Sequence, residues 1–457
     1  MSQTDFDVLI LGAGSGGYAC ALRAAQLGLS VALVEKGKVG GTCLHVGCIP
    51  TKALLHAAEV ADSTRGAAAF GVQATLEGID MAAVNAYKDK VVGRLFKGLS
   101  GLVSSRGITL VEGEGRLVGP RSVSVDGTTL TGRHLVLATG SASRSLPGLE
   151  IDGERVITSE HALGLGSVPR SVVVLGGGVI GCEFASVWRS FGAEVTIVEA
   201  LDRLVANEDE ASSKALERAF RKRGITLRTG ARFESVDRTE SGVRVHAAGE
   251  SIEADLLLVA VGRGPVTEGL GFEEHGIATD RGFVATDERC RTAVEGVYAV
   301  GDIVSGLQLA HRGFAQGIFV AEDIAGLAPQ VVSESLIPRV TYTHPEVASV
   351  GLDEVAARDL HGDDVTTVTY DLGGNGKSQI LQTQGFVKLV ALAEGPVLGV
   401  HMVGDRVGEL IGEAQLITGW EAWADDVAPL LHAHPTQNEA LGEAHLALAG
   451  KPLHAHG

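Results

Sequence analysis

Cys43 and Cys48 lie five positions apart in the segment GGTCLHVGCIPTK, with Gly40 and Gly41 ahead of the pair, Gly47 between them and Pro50 behind. Thiols so spaced could cycle between dithiol and disulfide, or they could be two unrelated core cysteines at a helix start. In a regular helix, residues i and i+5 are offset by about 7.5 Å along the axis, whereas disulfide-bonded Cα atoms lie roughly 4.4–6.8 Å apart. A bonded pair therefore excludes a regular helix across this stretch. The three glycines supply the backbone freedom that a break would need.

The elements around the pair form a repeated device. FDVLILGAGSGG, residues 6–17, runs from an apolar strand into Gly12-x-Gly14-x-x-Gly17, and a helix-like stretch and second strand then lead to Glu35. VVVLGGGVIG repeats this with Gly176, Gly178 and Gly181, and leads to Glu199; first glycine to acid spans 23 positions in both. Each residue type has a reason. The first glycine makes the tight turn, the second lets backbone approach a pyrophosphate, and the third lets helix pack on strand. The helix N-terminus offers unpaired N–H groups to the phosphates, and the acid accepts from an adenosine ribose.

Two dinucleotides are therefore expected. The cysteines follow Glu35 by eight residues in the first unit, so the dinucleotide held there should carry the ring that meets the sulfurs. A flavin exchanges electrons with both a hydride donor and a thiolate, which assigns FAD to the first unit and a nicotinamide to the second. Glu199 favours NAD over NADP, because a carboxylate about 4 Å from a 2′-phosphate repels it by roughly 4 kcal/mol per unit charge at an effective dielectric of about 20. Arg203 keeps NADP open, since arginine serves 2′-phosphates at such positions.

The totals narrow the class. The 457 residues allow two to four domains, and 45% hydrophobic with 21% charged residues is ordinary globular composition. A formal charge of -18 disfavours nucleic acid and anionic membrane surfaces and suits basic partners. Five scattered cysteines do not make the framework of a secreted disulfide-rich domain. The N-terminal MSQTDFDVLILGAG enters an apolar strand almost at once, and runs such as DLLLVAVG fall far short of a membrane span. A soluble cytoplasmic protein is expected.

Further motifs complete a pattern: LATGS at 137–141, GGGVIGCE at 176–183, VGRGP at 261–265, YAVGDI at 298–303, LAH at 309–311, YTHPEVASVG at 342–351 and HAHPTQNE at 432–439. With GGTCLHVGCIPTK, these make the chain resemble, over essentially its whole length, the dihydrolipoamide dehydrogenase branch of the pyridine nucleotide-disulfide oxidoreductase family. The resemblance implies that Cys43 exchanges with the substrate and that Cys48 lies against the flavin in a redox-active pair. It implies that Lys52, paired with Glu183, stands beside the reactive flavin nitrogen, and that Asp302 bonds the ribityl chain. Thr42, Gly115, Gly140, Ser141 and the segment Gln308, Leu309, Ala310, His311 match positions that line FAD, and Gly262 one beside NAD.

His434 resembles the catalytic base and Glu439 the acid that orients it. A thiol of pKa near 8.5 is mostly protonated at neutral pH, so an adjacent base must generate the attacking thiolate. His432, His445, His454 and His456 make this tail histidine-rich, a pattern that also fits surface residues or weak metal ligands. No metal is assigned. His45, Thr51 and Asn438 stand where related sequences often carry Asn, Ser and Ser; Gln316 replaces a frequent acid and is expected to have a surface role.

The expected fold is α/β: two Rossmann-like dinucleotide-binding domains, for FAD and NAD, plus a C-terminal mixed α/β dimerisation domain. FAD-binding segments are placed at 1–148 and 265–335, the NAD-binding domain at 149–264, and the interface domain at 336–457. The resemblance implies a homodimer in which His434 serves the partner chain's cysteines. It also implies partners bearing lipoyl and subunit-binding domains, from the acyltransferase component of a 2-oxo acid dehydrogenase complex or a lipoylated glycine cleavage protein. Two other readings are an NADPH-dependent disulfide or mercuric reductase and a non-catalytic NADH-responsive scaffold. Glu199 opposes the first, together with a tail, LAGKPLHAHG, that lacks a cysteine pair for mercury; intact Cys43, Cys48 and His434 oppose the second.

Overall fold

The computed structural model describes residues 5–454. Phe6–Leu11 is the hub of the first sheet, lying parallel between Val31–Glu35 and Thr128–Leu137 in the register Leu9↔Ala32 and Leu9↔Leu135. Thr109–Glu112 extends one edge, and Val297–Ala299, from far along the chain, pairs parallel with Thr128–Leu137 on the other side. Val8, Leu9 and Ile10 are wholly buried, as a parallel strand covered on both faces requires; hence the unbroken apolar run instead of an alternating one. The start of Thr128–Leu137 also pairs antiparallel with Ser122–Val125, which pairs with Gly115–Gly119.

The second unit repeats the plan. Thr226–Arg228, Glu194–Val198, Ser171–Leu175, Leu256–Val259 and Val156–Ile157 form an all-parallel sheet in that order. Phe233–Arg238, Val243–Ala247 and Glu250–Ala254 add an antiparallel meander. From residue 339 the architecture changes to a five-stranded antiparallel sheet: Arg339–Thr341, Glu346–Gly351, Val397–Gly404, Phe386–Leu392 and Val365–Asp371. The helices Val407–Gly419 and Glu439–Leu448 share its apolar core through Ile411, Ala414, Leu441 and Ala444. Among the described residues, no helix is long and apolar enough to cross a membrane.

Ala310–Ile324 lies against the first glycine helix, Ser15–Gln26, at a spacing only glycine permits. A Cβ on Gly317 would stand 2.3 Å from the Gly16 carbonyl oxygen, and one on Gly313 3.2 Å from the Gly16 nitrogen. The obstructing atoms are backbone and cannot rotate away. Gly317→Ala is therefore expected to lower stability by about 1–3 kcal/mol, read from urea denaturation of the holoprotein; an unchanged midpoint would mean that the two helices separate freely.

Candidate functional site

The two glycine turns are nearly superposable in their steric logic. A Cβ on Gly12 would lie 2.3 Å from the Ala138 oxygen, and one on Gly176 2.3 Å from the Ala260 oxygen; on Gly17 and Gly181 it would strike the Gly12 and Gly176 oxygens at 1.8 and 1.9 Å. Gly14 and Gly178, by contrast, face open space, and each caps its helix without a side-chain hydrogen bond. Helix N–H groups behind open ground are a cradle for a pyrophosphate. Gly140 and Gly262 add open positions with φ of 75° and 112°, where a side chain would be strained. The residues present thus fit two dinucleotides.

The acids are anchored alike. Glu35 accepts from Ala13 N at 2.7 Å and from Gly37 N at 2.8 Å; Glu199 accepts from Gly177 N at 2.5 Å and from Leu201 N at 2.7 Å. Arg203 donates to the carbonyls of Ala206 at 2.7 Å and Glu208 at 3.0 Å. Its guanidinium is engaged by its own loop.

The cysteine segment is broken where a regular helix would have failed. Gly41–His45 is one short helix and Cys48–Gly66 another, with Val46 and Gly47 between them. A Cβ on Gly47 would lie 2.9 Å from the Thr42 oxygen, and one on Gly41 2.7 Å from the Cα of Gly14, which ties the cysteine loop to the first glycine turn. Val46 N donates to Thr42 O at 2.9 Å, closing the short helix. Both thiols are free, and each bears on the other's ionisation. The Cys48 side chain raises the Cys43 thiol, with burial adding to it. The Cys43 side chain in turn lowers Cys48 to about 7; burial opposes this and the Lys52 ammonium assists. Cys48 also opens a helix, where partial positive charge favours a thiolate.

Lys52 donates to both carboxylate oxygens of Glu183, at 2.9 and 2.8 Å, and its ammonium lies 4.8 Å from the Tyr342 ring centroid. Burial alone would lower this lysine; Glu183 holds it above the usual lysine value. Glu183, almost fully buried, also accepts from Tyr342 N at 3.0 Å. One ion pair therefore joins the cysteine helix, the second glycine helix and the entry to the C-terminal sheet. Lys52→Met is expected to raise the Cys48 pKa by about one unit or more, because the cation is lost and the Glu183 charge is left facing the thiol. The pH dependence of alkylation of the reduced protein measures this; an unmoved curve would remove Lys52 from thiolate stabilisation.

After the strand Val297–Ala299, Asp302 accepts from Ser141 Oγ at 2.5 Å, and that hydroxyl accepts from Arg263 Nε at 2.8 Å. Gln308 donates to Asp302 O at 3.3 Å, Leu309 caps the helix that Ala310 opens, and His311 Nε2 meets Pro338 O at 2.7 Å. Gly115 lies in the core, where a Cβ would be 2.5 Å from Leu11 Cδ1. Sequence reasoning missed Arg263 and Tyr342; neither carries a local signal, since their partners lie more than 100 residues away.

Gln316 corrects an expectation. It is 5% exposed, and its Oε1 accepts from Gly301 N at 2.8 Å. It is an internal brace for the turn before Asp302, not a surface residue. An acid at this place would accept the same bond, which is why the sequence alone offered no reason to bury it.

In the C-terminal unit, His434 Nδ1 and Glu439 Oε1 are 2.8 Å apart, and Glu439 Oε2 accepts from Thr436 N at 2.8 Å. Burial would raise Glu439, but the Thr436 N–H and His434 hold it below its ordinary value. The His434 side chain is 76% exposed. The surface-or-metal reading of the tail does not describe His445 and His432. His445 is fully buried and bonds Leu441 O at 2.6 Å, and His432, largely buried, bonds Glu413 at 2.8 Å. His454 pairs with Glu443 at 2.8 Å, and His456 lies outside the described residues. Among the described residues, no three His, Cys, Asp or Glu side chains converge to hold a metal.

Comparison with known proteins agrees with this geometry. Residues 6–317 match the model of the pyridine nucleotide-disulphide oxidoreductase family, and residues 337–445 match that family's dimerisation domain. The chain is 41% identical to a dihydrolipoyl dehydrogenase of Bacillus subtilis, covering 99% of each sequence. It is 40% identical to the mitochondrial dihydrolipoyl dehydrogenase of Pisum sativum, covering 98% of this chain and 92% of that protein. Among solved structures it is similar to LpdA of Mycobacterium tuberculosis, with TM-score 0.90 at 28% identity over 96% of this chain and 99% of that one.

Proposed function

The chain belongs to the pyridine nucleotide-disulphide oxidoreductase family, and from that premise we propose that it oxidises protein-bound dihydrolipoyl groups with NAD as the final acceptor. The observation that carries this reading is the Cys43 and Cys48 thiol pair set against the Lys52–Glu183 ion pair, at the junction of two dinucleotide cradles. The first cradle, with Glu35, Thr42, Gly115, Gly140, Ser141, Asp302 and Gln308 to His311, holds FAD. The second, with Glu199 and Gly262, holds NAD. Glu199 and the engagement of Arg203 by its own loop carbonyls favour NAD over NADP.

The residues divide the work as follows. A substrate thiolate attacks the Cys43 sulfur of the oxidised pair; the substrate–Cys43 bond forms as the Cys43–Cys48 bond breaks, and Cys48 leaves as a thiolate beside Lys52. The second substrate thiol loses its proton to His434 of the partner subunit and attacks the sulfur joined to Cys43. The lipoyl ring closes and Cys43 departs, taking up a proton. Two electrons and the charge of one thiolate then reside on the pair. Glu439 orients the imidazole and stabilises its protonated form. Bound FAD supplies a two-electron carrier between this dithiol and NAD. The matched dimerisation domain supports the homodimer.

The lipoyl groups come from the acyltransferase component of a 2-oxo acid dehydrogenase complex or from a lipoylated glycine cleavage protein. The formal charge of -18 suits a basic subunit-binding domain. Turnover of dihydrolipoamide with NAD, compared with NADP and with glutathione disulfide plus NADPH, tests the reading. Dihydrolipoamide with NAD is expected to dominate; faster reduction of glutathione disulfide by NADPH would overturn it.

A further inference from the structure

Two consecutive acids end the loop that follows Glu199, and both reach out of the nucleotide unit. The Glu208 carboxylate accepts from Arg339 Nε at 3.0 Å and from the Ser349 hydroxyl. Asp209 caps the helix Glu210–Lys222 through Ala211 N and receives Lys388 Nζ at 2.8 and 3.0 Å. Arg339, Ser349 and Lys388 all stand on the C-terminal antiparallel sheet. The network is out of solvent: Glu208, Asp209 and Lys388 are 5%, 3% and 8% exposed, and Ser349 is fully buried.

The other end of the same loop builds the second dinucleotide cradle. Glu199 holds Gly177 N and Leu201 N, while Val205 N donates back to Gly177 O at 2.8 Å. Leu204 packs so closely that a Cβ on Gly177 would stand 2.5 Å from its Cδ2, and Val205 takes φ 41°, an uncommon backbone for a β-branched residue. Arg203 crosses the loop to the Ala206 and Glu208 carbonyls. A strained loop keeps its shape only where surrounding contacts over-determine it. Here part of that support comes from the neighbouring domain, through Glu208 and Asp209. Buried paired charges suit such a role, since they contribute little net stability yet tolerate only one geometry.

We propose that the Lys388–Asp209 and Arg339–Glu208–Ser349 contacts form a clamp by which the C-terminal domain positions the Glu199 loop for the adenosine half of the nicotinamide dinucleotide. These are positioning residues that act through Glu199 and the glycine turn. The clamp rests on the assignment of that dinucleotide to the second unit and adds a dependence on a sheet outside it.

The test is equilibrium binding of ADP-ribose, a redox-inert fragment, to the oxidised holoenzyme by calorimetry, beside steady-state kinetics. Lys388 also pairs with Glu354 at 2.8 Å, and removing Lys388 alone leaves Asp209 buried without a cation, so the informative variant is Asp209→Asn with Lys388→Met. It neutralises both groups and keeps a helix cap. Its ADP-ribose dissociation constant is expected to rise at least about fivefold, the lower end of ordinary inter-site coupling. KM for NAD should follow, with KM for dihydrolipoamide and the dimer unchanged; Lys388→Arg should restore wild-type binding. Ser349→Ala removes one hydroxyl and leaves every charge paired, so it reports on the clamp even where a charge variant does not fold; about a twofold weakening is expected. Wild-type affinity in both the double variant and Ser349→Ala would overturn the clamp. Failure of the unmodified protein to bind ADP-ribose would instead overturn the nucleotide assignment beneath it.

Discussion

Replacing Cys48 with serine is expected to lower dihydrolipoamide oxidation by more than about 10³-fold, the scale on which loss of an essential covalent group acts. The residual activity should be insensitive to pH around neutrality. The leaving sulfur is lost: serine cannot form the disulfide, and Cys43 alone cannot accept two electrons. Cys48 is the thiol brought down to about 7, by the Cys43 side chain first and by Lys52 against the opposing effect of burial. It is therefore the sulfur poised to carry negative charge. NADH oxidation by a small-molecule acceptor that bypasses the thiols should persist, which separates a chemical defect from a folding defect. Wild-type dihydrolipoamide turnover in Cys48→Ser would remove the pair from the reaction.

His434→Gln is expected to reduce turnover by about 10²- to 10⁴-fold, the range for loss of a general base. Glutamine keeps a polar side chain beside Glu439 but takes up no proton, so the loss reports proton transfer and not packing. The variant should recover partly as pH rises, since hydroxide-driven ionisation of the substrate thiol then replaces the base. Mixing it with Cys48→Ser subunits gives a second readout. If His434 acts across the dimer, a heterodimer places one intact histidine opposite one intact cysteine pair and regains activity that neither homodimer has. A heterodimer as inactive as both parents would mean that His434 serves the cysteines of its own chain.

The repeated device was the most legible part of the chain. Gly17 and Gly181 are required by contacts with the Gly12 and Gly176 oxygens inside a single strand–turn–helix unit. Glu35 and Glu199 return to the turn they follow, bonding Ala13 N and Gly177 N, within the same short span. Such features depend on chain geometry over some twenty residues, so spacing is sufficient to find them. The break between Gly41–His45 and Cys48–Gly66 was legible for the same reason, from the glycines around the pair.

Pairing across units was not. Lys52 meets Glu183 across 131 positions and Ser141 meets Asp302 across 161; family resemblance, not spacing, linked Lys52 to Glu183. Gln316, whose polar amide gave it a surface role in prospect, is buried because Gly301 N needs an acceptor there. His445 looked like one more tail histidine and proved to be core. By itself, the order of residues determined two nucleotide cradles, a thiol pair at a helix break and a C-terminal unit of different pattern, because each is written in short-range sterics and periodicity. Only the tertiary structure decided how the units meet, which charges are buried and what the Glu199 loop leans on, because docking brings together atoms that no local repeat relates.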